Sequence, residues 1–581
     1  MNSPSPNSRL RISTFGIGLL LGCLGFYLLM QSVTLWERPI ALPGGTDGFP
    51  ASVSKLFRLE WVGAGRISSL GLLNVGLYLF VLGTLFAFYW LALRKVFRAG
   101  TLEGKEARRA LRIILGVAGA ALFLFLWVPG SNSSDLYSYV WYGRIVTVYG
   151  DNPFIHAPIE YASRDLVGWL KLVYWKDVTS VYGPVWVSFA GAIAWVAQAL
   201  GGDLSLHLLG HRLLAGISHI VNILLIWQIA GLFIERYRMD DRRRTTDDGS
   251  QANNHASRFA HHVSCLPPQA FRIAATLAYA WNPLVLIEFG ANGHNDVLML
   301  TGVLAGLWLH LKGKWRLAVL ALTLASLIKV VALFWLLGYA WLLLWQPPWG
   351  DGRPRWVARL GTLAQAVSLA LALWVVCYIP FWEGPATFEP LWGGPPASLF
   401  VNSIASLFRW IGGEWLHSLA ISHGWRDIAV LNVEATRTLL EAPLRWVSLG
   451  IALPFMAAAI WRARTFPRMV EAWGWSMFVY LTVGAVWFWP WYVAWLLPVV
   501  VLAGPGRLFT ATQIFCATSL ILYGIFPGMA RPFEALPFYR SLITVAPALL
   551  YVLGSWALAR LRLRGGSEAP VTGGQMVIEA G

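Results

Sequence analysis

Apolar residues in this chain are gathered into long runs separated by short polar and basic stretches. Runs long enough to cross a bilayer, at about 20 residues each, cover 12–35, 69–93, 113–129, 208–234, 272–289, 360–382, 445–461, 470–488, 507–526 and 541–559. Shorter runs at 184–200, 295–311, 316–329, 330–345 and 491–503 read as tilted, broken or tightly paired crossings. The pattern predicts an all-α polytopic membrane protein with about 14 crossings and juxtamembrane helices in its outer loops.

The charges between the runs sort by side. Basic clusters occur at Arg94 to Arg112, at Arg242 to Arg244, at Lys312, Lys314 and Arg316, and at Arg560, Arg562 and Arg564. Counted from an amino terminus inside, the 94–112 and 312–316 loops and the basic tail fall on the cytoplasmic side, which is the Lys/Arg bias of cytoplasmic loops. Loops 130–183 and 383–444 then face outward. The parity fails at 184–234, where two full crossings would leave Arg236 to Arg244 outside, so one of these runs is expected to dip in or lie along the interface. The expected organisation is a single membrane domain, 1–581, with an outer catalytic loop at 130–183 and a second outer loop at 383–444. A polar, mobile cytoplasmic loop at 235–271 and a disordered tail at 565–581 complete it.

Composition agrees and narrows the class. Of 581 residues 57% are hydrophobic and only 13% charged, with a mean hydropathy of +0.57, which excludes a soluble globular protein. The 33 tryptophans suit membrane–water boundaries. A net charge of +16 first suggests nucleic acid, but the positions of the basic clusters between apolar runs make them loop charges, and no nucleic-acid partner is expected. Cys23, Cys265, Cys377 and Cys516 are far apart, so neither a disulfide frame nor a CxxC metal site is implied. The run at 12–35 is longer than a signal-peptide core and reads as a retained first span.

GxxxxGK[ST], HExxH and GxSxG are all absent, which argues against an ATP-driven pump and against zinc or serine hydrolysis. Four segments carry candidate chemistry. In SNSSDLYSYVWYGRIVTVYGDNPF, Asp135 falls in the first turn of a helix, where capping alone would explain it. Asp135, Tyr139 and Tyr142 also share one face, with Arg144 close by, so a carboxylate, phenol rings and a guanidinium gather at the bilayer surface. In AYAWNPLVLIEFGANGHNDVLML, Pro283 and Gly290 break a helix; Asn295 and Asp296 either cap the next one or join His294 as polar contacts of a site. Lys329, a lone cation between apolar runs, either snorkels to the interface or meets an anion such as a lipid phosphate. Around Pro490, Trp491 and Tyr492 belong to an aromatic belt or wall a lipid or sugar groove.

DLYSYVWYGRIVTVYGDNPF followed by VYGPVW, then WNPLVLIEFGANGHNDVLML, LALTLASLIKV and PWYVAWLLP, in that order, resemble the bacterial polyprenol-phosphate-mannose-dependent mannosyltransferases, membrane glycosyltransferases of the C type (GT-C). The resemblance covers about 113–505 in segments. It implies a GT-C-like bundle whose first large outer loop supplies an acidic catalytic residue, best matched by Asp135, and a substrate site drawing on Tyr182 of the VYGP segment. The paired acids of some relatives are missing, since Leu136 follows Asp135 and the next acid is Asp151. The activity it implies is transfer of a hexose, mannose foremost, from a polyprenyl phosphate to a hydroxyl of an outer-face glycan or glycolipid at the plasma membrane. On that view Asp135 takes the acceptor proton, Arg144 and Lys329 hold the phosphate, and aromatic rings stack the sugars. No cofactor is required, and a divalent metal stays open. The rival is a transporter or lipid flippase, for which ionisable residues in mid-span and related halves are expected; neither is evident in the sequence.

Overall fold

The computed structural model describes residues 12–32, 70–128, 133–165, 168–247, 266–348, 355–394, 399–429, 431–528 and 537–565. The described chain is helical, with one isolated bridge between Val401 and Trp487. Its principal helices are α1 (Ser13–Ser32), α2 (Leu70–Phe97), α3 (Gly104–Phe125), α4 (Asp135–Arg144), α5 (Pro184–Ala199), α6 (Leu204–Asp247), α7 (Pro268–Ala280), α8 (Asp296–Leu311) and α9 (Trp315–Ser326). They continue as α10 (Leu333–Trp345), α11 (Arg355–Tyr378), α12 (Ile404–Ser422), α13 (Glu441–Arg462), α14 (Phe466–Val479), α15 (Leu497–Ala503), α16 (Arg507–Gly528), α17 (Pro537–Thr544) and α18 (Ala546–Gly565).

Five stretches, Ser13–Met30, Val75–Phe97, Leu204–Arg236, Arg355–Phe381 and Val433–Arg462, are long and apolar enough to cross a membrane. The pair Pro268–Ala280 and Pro283–Ala291, bent by 41°, makes a sixth. All-α architecture with helices long and apolar enough to cross a membrane is therefore established among the described residues; a count near 14 would need α3, α14, α16 and the shorter apolar helices as well. Such helices have to bury backbone polarity within themselves, and those at the rim expose side chains suited to lipid. On α11, Leu360, Val367, Leu371, Val375 and Val376 are exposed. Inside, α2, α7 and α16 are tied by the Tyr89 hydroxyl, which donates to Gln513 at 2.7 Å, and by the Asn282 amide, which donates to the same side chain at 3.1 Å.

Several expected boundaries move. The 94–112 loop shrinks to a short turn, because α2 runs to Phe97 and α3 starts at Gly104, carrying most of that basic cluster on helix. The polar stretch expected as loop from 235 begins as the end of α6, which continues to Asp247; residues 248–265 lie outside the described part, as does the tail beyond Gly565. The apolar run at 470–488 does not stay helical: α14 ends in a π turn, Tyr480–Gly484, and extended chain follows. Apolarity alone does not separate these states, and that departure builds one wall of the site.

Candidate active site

Four breaks in helical structure converge on one cavity. At the first, the backbone N–H of Asp135 donates to the Ser133 hydroxyl at 3.2 Å, which fixes the start of α4 and leaves the Asp135 carboxylate free to point away from its own helix. At the second, Pro283 supplies no N–H to continue α7, and Asn282 accepts from the Leu284 N–H at 3.0 Å to start a new turn. That turn widens into a π segment, Leu286–Ala291, and reverses at Gly293, whose φ of 65° is left-handed, so that α8 begins at Asp296.

The third break is between α9 and α10, where Lys329 is extended. The VYGP segment pairs with it: the Gly183 N–H donates to Ile328 O at 3.0 Å and the Val185 N–H to Leu327 O at 3.1 Å. A Cβ on Gly183 would collide with Leu327 O, so glycine is what permits this approach and sets Tyr182 beside Lys329. The fourth is the stretch after α14. The Val401 N–H donates to Val486 O at 3.0 Å and the Phe488 N–H to Val401 O at 2.9 Å, while Ser541 in the middle of α17 donates to Ser403 O at 2.7 Å.

Side chains from these breaks form a charged and aromatic array. The Lys329 ammonium is 2.8 Å from Asp296 Oδ1, and the Trp495 indole N–H donates to the same oxygen at 2.5 Å. The ammonium lies 5.4 Å from the ring centres of Tyr492 and Trp495 and 5.7 Å from that of Tyr182. The Tyr182 hydroxyl donates to Asp135 Oδ2 at 3.1 Å. Burial pushes the Asp135 carboxyl up to about 6, against the opposing pull of Lys329 and the Tyr182 hydroxyl. A carboxyl with that poise can accept a proton near neutral pH.

The cavity measures about 610 Å³. Asp135, Ser138, Tyr142, Tyr182 and Lys329 line it together with Trp487, Trp489, Trp491, Tyr492 and Trp495. Trp489 and Trp491 stack on each other at 5.3 Å with only 7° between their planes, a rigid aromatic lining suited to a sugar. Leu391, Leu399, Leu449, Val330 and Val331 give it an apolar flank, and Arg445 of α13 and Arg540 of α17 add positive charge. Among the described residues no group of three or more His, Cys, Asp or Glu side chains is placed to hold a metal ion.

Of the residues singled out in the sequence, Asp135, Tyr142, Tyr182, Lys329, Trp491 and Tyr492 line this cavity. His294, Asn295, Asp296 and Tyr139 stand behind the lining: the Tyr139 hydroxyl donates to Asn295 Oδ1 at 3.3 Å, and the His294 ring stacks on Trp491 at 4.2 Å. Neither Asn295 nor Asp296 caps α8 through its side chain; Asp296 serves Lys329 and Trp495 instead. Arg144 does not reach the site. Nine positions after Asp135, at about 100° per helical residue, it faces the opposite way, and its guanidinium lies 4.8 Å from the Trp169 ring centre and 5.6 Å from that of Trp141.

Sequence reasoning missed Trp495, Glu288, Arg445 and Arg540. The two arginines had a usable signal, since both sit where positive charge departs from the expected cytoplasmic bias. It also missed ionisable groups within a span: α6 buries His207, His211, Arg212 and His219. Arg212 donates to Ala291 O at 2.9 Å and to Val128 O at 2.5 Å, which ties the π segment to the residues just after α3.

Comparison with protein families gives a match to the MptA_B family model, alpha-(1->6)-mannopyranosyltransferase, N-terminal domain, over residues 40–238 and 256–345. The matched stretch includes Asp135, Tyr182, Glu288, His294, Asp296 and Lys329, and ends before the tryptophan wall and both arginines. A comparison with curated proteins finds no significant match. Fold and match together define a membrane glycosyltransferase of GT-C type that handles mannose. More particularly, the chain belongs to the MptA_B family of mannosyltransferases.

Proposed function

We propose that the protein moves mannose from a polyprenyl phosphate to a hydroxyl of a glycan or glycolipid at the outer face of the plasma membrane, inverting a β-linked donor into an α-(1→6) product. Membership in a mannosyltransferase family supports the sugar and the linkage. The observation that carries the mechanism is the Asp135 carboxylate, held by Tyr182 at the wall of an aromatic cavity that also has an apolar flank. An acceptor hydroxyl gives its proton to Asp135 as its oxygen attacks C1 of mannose. The bond from C1 to the phosphate oxygen breaks, and polyprenyl phosphate leaves with that electron pair. Lys329, Arg445 and Arg540 offer charge to the departing phosphate, and the flank of Val330, Val331, Leu391, Leu399 and Leu449 suits the first isoprene units.

The outer-face position rests on the Lys/Arg bias of the loops, and a count near 14 crossings adds α3, α14, α16 and the shorter helices α5, α8, α9, α10 and α18 to the six candidate spans. The test is to reconstitute the purified protein in lipid nanodiscs with radiolabelled polyprenyl-phosphate mannose, glucose or arabinose and an α-mannan acceptor, with and without chelator. Label entering the acceptor from the mannosyl lipid alone, in a bond cut by an α-(1→6)-specific mannosidase, is the expected result. Transfer from another sugar lipid, or none from any lipid donor, would overturn the donor assignment.

A further inference from the structure

Glu288 belongs to the π segment before α8 and is fully buried. Its Oε2 accepts from the Asn292 amide at 2.7 Å and lies 3.4 Å from His294 Nε2. On the far side of the same ring, Nδ1 is 3.9 Å from Asp135 Oδ2. Both ring nitrogens of His294 lack any hydrogen-bond partner, and the ring is sealed from solvent. The left-handed Gly293, the His294 N–H donating to Glu288 O at 3.1 Å, and the stack on Trp491 hold the imidazole edge-on between the two carboxylates.

We propose that Glu288 is a positioning residue for transfer, acting through His294 on Asp135 as a buried carboxylate–imidazole–carboxylate relay; this rests on the reading of Asp135 as the base. A carboxylate in a membrane protein is costly to bury without a cation or donor. The ionisable groups around the relay are few. Asp296 is engaged by Lys329 and Trp495, Tyr182 donates to Asp135, and the Tyr523 hydroxyl of α16 faces Glu288. His294 is the group placed between the two acids to receive a proton from one and hold it against the other.

The resting separations of 3.4 and 3.9 Å exceed hydrogen-bond length, and each closes if its carboxylate moves towards the ring by less than about 1 Å. The proton that Asp135 takes from the acceptor then passes from its carboxyl to His294 Nδ1, and the Nε2–H bonds to Glu288. Asp135 is again a carboxylate while polyprenyl phosphate departs, and the proton returns through Asp135 to water when the product leaves. Atoms and charge balance without any further reactant.

The experiment measures kcat, both KM values and the pH dependence of kcat/KM for the reconstituted wild type, Glu288→Gln, His294→Gln, the double variant and Asp135→Asn. Glu288→Gln is expected to lower kcat by about 10- to 100-fold at nearly unchanged KM. The acidic limb should also shift, since Glu288 and Asp135 face the same imidazole from opposite sides. Adding Glu288→Gln to His294→Gln should change nothing more, because the two act as a unit. If Glu288→Gln fails to fold, His294→Gln carries the test by showing the same drop in kcat and a displaced limb. Wild-type kcat and limb in either variant, with altered thermal stability only, would overturn the relay. Full transfer by Asp135→Asn would instead overturn the base assignment beneath it.

Discussion

The ammonium of Lys329 lies 2.8 Å from an Asp296 carboxylate that is itself sealed from solvent, so the lone cation of an apolar run is matched by an anion 33 residues earlier in the chain. The pair is closed further by the Trp495 indole. Lys329 has only 14% of its side chain exposed, and that part opens on the cavity. It therefore holds the fold at a helix break while presenting charge to whatever occupies the site.

Removing one member of such a pair strands the other. Lys329→Met should lower the unfolding free energy by about 3 kcal/mol, read by thermal or denaturant unfolding in detergent. Lys329→Met with Asp296→Asn should regain most of that loss. Recovered stability without recovered donor affinity would separate the structural from the substrate-binding part of Lys329; equal stability of the single and double variants would contradict the pairing.

With Asp135 as the proposed base, the acidic limb of activity is expected to follow its titration. With its carboxyl pushed up to about 6, it is charged above that value and protonated below it, so kcat/KM should be flat above about pH 7 and fall roughly tenfold per unit below pH 6. Tyr182→Phe removes a donor to the charged form, so the limb should move to higher pH. An unchanged limb in this variant would detach Tyr182 from the titration.

On the proposed reading, charge for the donor's phosphate comes from Lys329, Arg445 of α13 and Arg540 of α17 rather than from Arg144 of α4. Arg445→Gln and Arg540→Gln should each raise the donor KM by about tenfold with little effect on acceptor KM, as expected when one charge-assisted contact of about 1.5 kcal/mol is lost. Arg144→Gln should leave both KM values alone, because its guanidinium packs over Trp141 and Trp169. Initial-rate measurements with varied donor decide it, and a donor effect at Arg144 alone would reverse the assignment.

Much of the helical framework was legible, because runs near bilayer length leave few alternatives. So were both halves of the polar site, since Asp135, His294, Asp296 and Lys329 stand out against apolar surroundings. What the chain could not disclose was pairing: Lys329 reads equally as a snorkelling side chain until α8 brings Asp296 against it. Glu288 was hidden within a run that reads as an ordinary span, and its role depends on a π turn and a left-handed Gly293 that no hydropathy pattern encodes. Arg144 was misplaced by proximity in sequence, since closeness along a helix is not closeness in direction. The chain at 480–488 was read as span because extended and helical apolar chain look alike in composition, while Trp491 and Tyr492 stayed open between an aromatic belt and a groove wall.

The central claim is that Asp135 takes the acceptor proton in the cavity between Tyr182 and the tryptophan wall. The most direct measurement is single-turnover transfer of radiolabelled mannose from polyprenyl phosphate by Asp135→Asn in nanodiscs, beside wild type, with donor binding and thermal stability recorded on the same preparations. The account predicts a loss of at least about 100-fold in transfer rate, with donor affinity retained and stability changed by less than about 1 kcal/mol, since Asn also suits a helix start. A transfer rate equal to wild type would contradict it.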